Sequence, residues 1–271
     1  MIRTEVQYLS EASERPVYYA SGPGRNAQFS IDQNMKYFPV EVVDARDRSL
    51  SPNAFDGQDA SGFDLINSPS QVDNFLDKQQ IETVYEKEIE ALIKAHTGAY
   101  RVKIFDHTVR ASDPELRESK QVREPATLVH NDYTATSGFV CLNENLGDEA
   151  QALAKTRFQI INIWRPLVDP VENFPLALCD VRSIDENDVV DAERRAPNHT
   201  GEIMLATYNP KHRWFYFSNM RPDEVLLFKT FDSIDQGRTT SSIHTAIELP
   251  DAPVNAKPRE SIESRAFVFY Q

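Results

Sequence analysis

Two residue types that bind metals stand two positions apart in a short β-prone segment, where His130 and Asp132 fall within residues 128–134. Residues i and i+2 of a strand point to the same side, so the imidazole and the carboxylate can face one point. A second, distant histidine would complete a 2-His-1-carboxylate triad, the donor set that holds Fe(II) and leaves coordination positions open. On its own the motif is weak, because a chain with six histidines and many acidic residues can contain such a pair by chance.

Three histidines compete for the remaining ligand position. His107 precedes the motif and has no carboxylate at a matching spacing, which favours a structural role. His212 stands in a segment with turn chemistry beside Arg213, so we expect a solvated turn residue there. His244 lies inside a strand-like run, and the sequence therefore favours His244 as the third ligand.

An oxygenase that uses 2-oxoglutarate also needs a cation for the distal carboxylate of this cosubstrate. Arginine suits the task, because its planar guanidinium binds a carboxylate through two hydrogen bonds. Arg259 follows His244 by fifteen positions, and Ser261 lies two residues further on. Arg265 on the same strand face and Arg165 are the other candidate anchors. The order H-x-D, distant His, R-x-S is more specific than any of its parts and predicts an iron and 2-oxoglutarate site.

Strand signals dominate the second half of the chain. Residues 203–217 are typical of a hairpin, since two apolar runs flank a segment of turn residues. Strands at this spacing with few helices between them predict a β-sandwich or barrel. The predicted strands are 16–20, 37–43, 100–105, 158–164, 176–181, 203–208, 213–217, 224–229, 242–248 and 261–270.

One amphipathic helix is predicted in the first half of the chain. Ser70 is positioned to cap it, an apolar stripe at steps of three and four residues continues to about Ala95, and Gly98 fits the stop. Residues 46–70 are polar and predict a long surface loop, and residues 111–127 are charged and loop-like.

Composition narrows the function classes. The net charge of −13 is the opposite of that of a nucleic-acid binder and disfavours anionic membranes. No apolar run approaches a transmembrane helix, and the first residues do not resemble a signal peptide. Cys141 and Cys179 form no metal or disulfide motif, so we expect a reducing, cytoplasmic setting.

From about residue 75 onward the chain resembles the fungal asaB-type hydroxylase/desaturase family. That family includes fungal gibberellin desaturase, cephamycin methoxylation proteins and the meroterpenoid endoperoxygenase of novofumigatonin biosynthesis. The resemblance implies a mainly β fold with a double-stranded β-helix (jelly-roll, cupin-like) core and supporting helices. It also implies Fe(II) chemistry with 2-oxoglutarate and O2 as cosubstrates, acting on secondary metabolites. The matching segments are 88–99, 102–110, 130–134, 161–167, 175–180, 214–220, 222–229, 232–233, 244–246 and 259–263.

The combined prediction is one catalytic domain, 1–271, in which residues 1–115 supply N-terminal strands, a lid-like loop and a long helix, and residues 116–271 form the core. Its substrate is expected to be an apolar terpenoid or meroterpenoid that undergoes hydroxylation, desaturation or endoperoxide formation. Tyr133 is a candidate substrate contact, because it directly follows the ligand pair. Trp164 and Trp214 are also candidate substrate contacts, but the favoured alternative for both is a place in the core. The oligomeric state stays open, a homodimer included.

Three alternatives stay open at this point. A non-catalytic protein of the same fold would use the site for binding or would partner an enzyme. A zinc-dependent hydrolase would use the same three ligands and would need no Arg259. A redox-inert β-sandwich interaction protein would carry the H-x-D by chance.

Overall fold

Strands make up most of the regular structure. The computed structural model describes residues 1–10, 14–20, 22–24, 30–31, 34–46, 54–56, 59–196, 199–234 and 241–271. The strands are β1 (Ile2–Leu9), β2 (Val17–Tyr19), β3 (Ser30–Ile31), β4 (Met35–Asp44), β5 (Phe63–Asn67), β6 (Arg101–Ala111), β7 (His130–Asn131), β8 (Phe158–Pro166), β9 (Leu176–Cys179), β10 (Val189–Ala196), β11 (His199–Ala206), β12 (Trp214–Tyr216), β13 (Glu224–Asp232), β14 (His244–Ala246) and β15 (Glu260–Phe269).

These strands form two sheets between which the chain alternates. The larger sheet has the order β1-β4-β12-β9-β14-β7-β11-β10-β2-β3, and the smaller has the order β5-β13-β8-β15-β6. Strands β6, β8, β13 and β15 thus lie in one sheet, while β7, β9, β12 and β14, which are interspersed among them in the chain, lie in the other. This alternation is the jelly-roll arrangement and confirms the predicted double-stranded β-helix core.

Strand β8 shows how the smaller sheet buries both of its faces. Ile161 and Ile163 pack with Ile89 and Ile93 of a covering helix, whereas Trp164 packs with apolar residues between the sheets. Every residue of β8 is buried, as expected for a strand covered on both sides. The face that carries Trp164 also carries the even-numbered neighbours of that residue, and it points toward the larger sheet.

The helices are short except for the one that covers the smaller sheet. They are α1 (Lys78–Gln80), α2 (Glu86–Thr97), α3 (Pro114–Lys120), α4 (Ser137–Leu146) and α5 (Ala150–Leu153), with a π-helical turn at Ile81–Tyr85 between α1 and α2 and 3-10 turns at Gly147–Glu149, Val181–Ser183 and Glu186–Asp188. Among the helices of the described ranges, none has the length and apolar character needed to cross a membrane.

The predicted helix exists, but its start was placed too early. Asp77 caps it, because its carboxylate accepts hydrogen bonds from the amides of Gln79 and Gln80. Ser70 instead donates to the Glu88 carboxylate at 2.6 Å, so it ties the preceding segment to the helix. Gly98 ends α2 with φ of 69°, a left-handed conformation that favours glycine, as predicted.

The two segments that were predicted to be loops each contain an element of regular structure. Within 46–70, of which 47–53 and 57–58 lie outside the described residues, Phe63–Asn67 forms β5 against β13. Its two polar residues obscure the strand pattern, and pairing with β13 stabilises it. Within 111–127, Pro114–Lys120 forms α3 with Asp113 as its cap.

The predicted hairpin over residues 203–217 is wrong. Strand β11 pairs with β10 and β7, whereas β12 pairs with β9 and β4. The turn chemistry at 209–212 reverses the chain locally, but the partners of both strands come from distant parts of the chain.

Candidate metal centre

His130 and His244 are direct partners on neighbouring antiparallel strands. Strand β7 pairs with β14 through these two residues alone, so their side chains leave the sheet on the same side. Their ring centroids are 4.4 Å apart. Asp132 follows His130 by two residues, and one donor atom from each of the three side chains lies within 4.8 Å of the others. The structure thus brings the three predicted ligands together.

Both histidines are oriented by main-chain carbonyl groups. His130 Nδ1 lies 2.8 Å from the Leu128 carbonyl oxygen, and His244 Nδ1 lies 3.2 Å from that of Ser242. Because a carbonyl only accepts, each Nδ1 donates the hydrogen bond, and each Nε2 is the nitrogen that remains to face a metal. Burial, with His130 adjacent, lowers the pKa of His244 to about 3. His244 is therefore a neutral imidazole near neutral pH, the form that binds metals.

The Asp132 carboxylate is held from the side opposite His130. Its Oδ2 accepts hydrogen bonds from Arg265 Nε at 2.9 Å and Asn162 Nδ2 at 2.7 Å, while Oδ1 lies 3.6 Å from His130 Nε2. Burial by itself raises the pKa of Asp132, but the Arg265 charge and the His130 contact outweigh burial and hold the pKa well below its usual value. Asp132 is therefore an anion with one oxygen fixed and the other directed at the histidines.

Arg265 donates hydrogen bonds to this carboxylate and to two others. Besides Asp132, its guanidinium donates to Asp106 and Glu263. The sequence analysis missed Asn162, Asp106 and Glu263. A usable signal existed for Asn162, because a lone amide inside an apolar strand must have buried hydrogen-bond partners.

Arg259 has a different environment. It is 2% exposed, its Nε and Nη2 lie 3.2 and 3.0 Å from Ser261 Oγ, and its Nη1 donates to the Phe174 carbonyl at 2.9 Å. The guanidinium lies 5.1 Å from the Trp164 ring centre. Burial, with Arg110 nearby, lowers the pKa of Arg259 to about 9. Among the described residues no carboxylate pairs with it, so it is a buried cation without a counterion.

Arg165 is not brought to the site. Its Nη1 donates to the carbonyls of Ser68 and Pro222, and its guanidinium lies over the Tyr85 ring. Alternation along β8 explains this placement, because Arg165 and its neighbour Trp164 point to opposite faces of the smaller sheet.

A cavity of about 350 Å³ opens beside the candidate ligands. His130, Asp132, Tyr133 and Arg265 are the predicted site residues that line it. Volume and mixed lining are typical of a small-molecule site. The lining is completed by Tyr18, Phe105, Asp106, Thr108, Arg110, Arg123, Glu124, Ala126, Leu128, Ser137, Val140, Cys141, Glu144, Arg194, His199, Gly201, Glu202 and Ile203.

The two tryptophans lie in the core. Trp214 is 1% exposed and donates from Nε1 to the Tyr8 hydroxyl at 2.9 Å. Trp164 is fully buried beside Arg259, and its indole nitrogen has no hydrogen-bond partner among the described residues. Neither side chain is among the described residues that line the cavity.

The two remaining histidine candidates have structural contacts. His212 is not the solvated turn residue that was predicted, because its side chain is only 1% exposed. It contacts the Tyr8 hydroxyl through Nδ1 and Asp188 through Nε2. His107 contacts Ser264 at 2.7 Å and Glu86 at 3.3 Å, in agreement with the structural role expected of it.

The donor set fits Fe(II). Two imidazoles and one carboxylate, with one donor atom from each within 4.8 Å of the others, match the 2-His-1-carboxylate facial triad of non-haem iron oxygenases. Hydrogen-bond partners that fix the orientation of each ligand are also typical of metal sites. Fold and donor set together define the class of mononuclear iron oxygenases.

Comparison with known proteins narrows this class. A family model described as "Oxidoreductase/YMDC permease-like domain" matches residues 6–269. Hydroxylase/desaturase efuI of Hormonema carpetanum is 36% identical over 88% of this chain and 86% of that relative. Fe(II)/2-oxoglutarate-dependent dioxygenase nvfI of Aspergillus novofumigatus is 31% identical over 95% of this chain and 92% of that relative. The solved structure of the iron and alpha-ketoglutarate-dependent endoperoxidase NvfI superposes with a TM-score of 0.83 at 27% identity, covering 98% of this chain and 97% of that one.

The chain belongs to this family of fungal hydroxylase/desaturases and Fe(II)/2-oxoglutarate-dependent dioxygenases. It is therefore an oxidoreductase of the non-haem iron type that acts on a small molecule, as the resemblance implied.

Proposed function

We propose that His130, Asp132 and His244 bind the catalytic Fe(II). The convergence of their donor atoms within 4.8 Å is the observation that carries this assignment. The carbonyls of Leu128 and Ser242 keep both Nε2 atoms available. Arg265 and Asn162 hold the carboxylate, and we assign both as positioning residues.

Arg259 and Ser261 would receive the distal carboxylate of 2-oxoglutarate. A guanidinium that is buried without a counterion favours an incoming anion, because leaving a buried charge unpaired is costly. Ser261 supplies a hydroxyl that already contacts the guanidinium. Together, iron, cosubstrate and dioxygen supply oxidation of an unactivated C–H bond, while the protein binds the reactants and orients them.

The proposed substrate is a mostly apolar secondary metabolite, such as a terpenoid or meroterpenoid, oxidised by hydroxylation, desaturation or endoperoxide formation. Tyr133 is the proposed substrate contact, because it lines the cavity next to the ligand pair. Trp164 would hold the guanidinium of Arg259, which lies over its ring, in place for 2-oxoglutarate. Trp214 would stabilise the larger sheet by packing in the core.

The proposal also covers the domain organisation, the cellular compartment and the partners of the protein. Residues 1–115 and 116–271 would work as one catalytic domain, since β4 pairs with β12 and β6 pairs with β15. Both cysteines are free thiols, which suits a reducing cytoplasm. No nucleic-acid partner is proposed. The candidate site is built from one chain, so a monomer and a homodimer are both compatible with it.

Anaerobic titration with Fe(II) and then 2-oxoglutarate tests this proposal. We expect the visible metal-to-ligand band of a chelated 2-keto acid. An Arg259→Ala variant should keep Fe(II) affinity but bind 2-oxoglutarate about 100-fold more weakly, because a charge-assisted pair is lost. Arg221→Ala, an exposed arginine, is the matched control.

A folded wild-type protein that gives no band would refute the proposal. Activity of the Arg259→Ala variant without 2-oxoglutarate would instead support the zinc hydrolase. Succinate release in the presence of fungal terpenoid intermediates then identifies the substrate.

A further inference from the structure

Three arginines of the cavity form what we call the arginine cluster, namely Arg110, Arg123 and Arg194. Arg110 lies near the end of β6, Arg123 lies on an adjacent parallel segment, and Arg194 comes from β10 of the larger sheet. The backbone holds the first two side by side, because the Ala111 amide donates to the Arg123 carbonyl at 2.9 Å and the Arg123 amide donates to the Val109 carbonyl at 3.1 Å.

The acidic side chains of the cavity already have other partners. Asp106 and Asp132 pair with Arg265, Glu202 pairs with Arg15, and Glu144 lies 3.4 Å from His199. Arg110 donates only to the Glu124 carbonyl, at 2.7 Å. Across the described part of the chain, no carboxylate is within ion-pair distance of the arginine cluster.

Like charges held side by side destabilise one another, and a bound anion relieves the repulsion. Burial and then the charges of Arg110 and Arg194 lower the pKa of Arg123, and the charge of Asp106 only partly opposes them. In a chain with a net charge of −13, three cations in one cavity that have no carboxylate partner among the described residues are a feature that packing does not require.

We propose that the arginine cluster binds a carboxylate of the substrate, so that the substrate class is an apolar carbon skeleton that carries an acid group. This inference rests on the proposed function and specifies its substrate. Phe105, Tyr133, Val140 and Ile203 supply apolar surface in the same cavity. The cluster fixes the acid end, and the skeleton lies over the apolar surface toward His130 and Asp132.

The cosubstrate is a second source of carboxylate, and the structure favours the substrate. Arg259 is 2% exposed and lies beside Ser261, which suits an anion that is sequestered in the core. The arginine cluster is half-buried along the cavity and suits a ligand that enters from solvent.

Two fluorescent polycyclic probes that differ in one group test the inference. Pyrenebutyrate carries a carboxylate, and pyrenebutanol carries a hydroxyl in its place. With protein loaded anaerobically with Fe(II) and 2-oxoglutarate, we expect pyrenebutyrate to bind about tenfold more tightly than pyrenebutanol. The Arg123→Gln/Arg194→Gln double variant should lose this preference, whereas Arg3→Gln, which removes an exposed charge elsewhere, should keep it.

Three results would overturn the inference. They are failure of pyrenebutyrate to bind, equal affinity of both probes for the wild type, and a preference that survives in the double variant. Displacement of pyrenebutyrate by 2-oxoglutarate, with weaker 2-oxoglutarate binding in the double variant, would assign the cluster to the cosubstrate and also overturn it. The metal-to-ligand band of the wild type reports on the proposed function independently of all these results.

Discussion

Two histidine–carboxylate clusters lie on the larger sheet, and they use their donor atoms in opposite ways. At the candidate metal centre, His130 and His244 bond to carbonyls through Nδ1 and leave both Nε2 atoms converging with Asp132. In the second cluster, His212 uses both nitrogens, with Tyr8 at 2.8 Å and Asp188 at 3.1 Å.

This difference shows what separates a ligand from a structural histidine. Each cluster contains a buried histidine and an aspartate, so the burial of a histidine and the residue types do not distinguish the two clusters. The saturated hydrogen bonds of His212 leave no lone pair for a metal, and Trp214 closes that cluster by donating to Tyr8. The decisive quantity is the number of lone pairs that face one point without a protein partner.

The largest effect is expected from His244→Ala. Loss of a ligand should lower Fe(II) affinity by more than about 100-fold, which exceeds the effect of losing a group that only orients a ligand. Fe(II) titration followed by the 2-oxoglutarate band measures this. His96→Ala, on the exposed face of α2, is the matched control and should bind iron normally. If the His244→Ala variant binds iron normally, His244 is not a ligand, and the proposed difference between a metal-binding and a structural histidine cluster is wrong.

His212→Phe should give the opposite pattern. The substitution leaves Tyr8 and Asp188 without a shared partner, so we expect a loss of about 2 kcal/mol in unfolding free energy. Fe(II) affinity should be unchanged. Urea unfolding and iron titration of the same preparation test both points, and a folded variant that fails to bind iron would show that the clusters are coupled.

Asn162→Ala should weaken iron binding by about tenfold, because Asp132 loses one of the two groups that hold it. Gln159→Ala is the control, since this buried amide on the same strand contacts Asp232 instead. Equal iron affinities in both variants would contradict the positioning role of Asn162.

The smallest effect is a dependence of stability on pH in the metal-free protein. Burial lowers the pKa of His212, with Asp188 opposing, and lowers that of His244 to about 3. The unfolded chain then binds protons that the folded protein does not, so stability falls as the pH drops below about 6.5. Each buried imidazole contributes at most about 1.4 kcal/mol per pH unit.

Urea unfolding at about pH 7 and about pH 5.5 tests the sign. The His212→Phe variant should lose less stability over this interval than the wild type. Parallel losses in the two proteins would show that His212 does not titrate in the unfolding equilibrium.

Much of the site could be predicted because its signals are local. The two-residue spacing of His130 and Asp132 predicted that both face one point, and the same spacing predicted the contact of Arg259 with Ser261. The structure bears out both contacts, although Asp132 follows the end of β7 and Arg259 precedes β15. The predictions that failed depend on partners. Residues 203–217 contain turn chemistry but form no hairpin, and His212 lies in that turn yet is buried by Tyr8 from the first strand.

The sequence also could not distinguish between two of the candidate arginines, because their positions depend on strand pairing. Arg165 and Arg265 were equal candidates in the sequence, but pairing of β15 with β8 places Arg265 opposite Asn162, on the face that holds Asp132. Arg165 points to the helix-covered face and cannot reach the metal centre.

The sequence by itself predicted the strand-rich fold and the candidate ligands from residue type, spacing and side-chain alternation, and its resemblance to known proteins indicated the family. The tertiary structure decided which histidine has a nitrogen free to face a metal, which candidate anchor arginine has no carboxylate partner among the described residues, and which charges line the cavity. Those properties depend on side chains that are far apart in the chain and meet only when the two sheets close on each other.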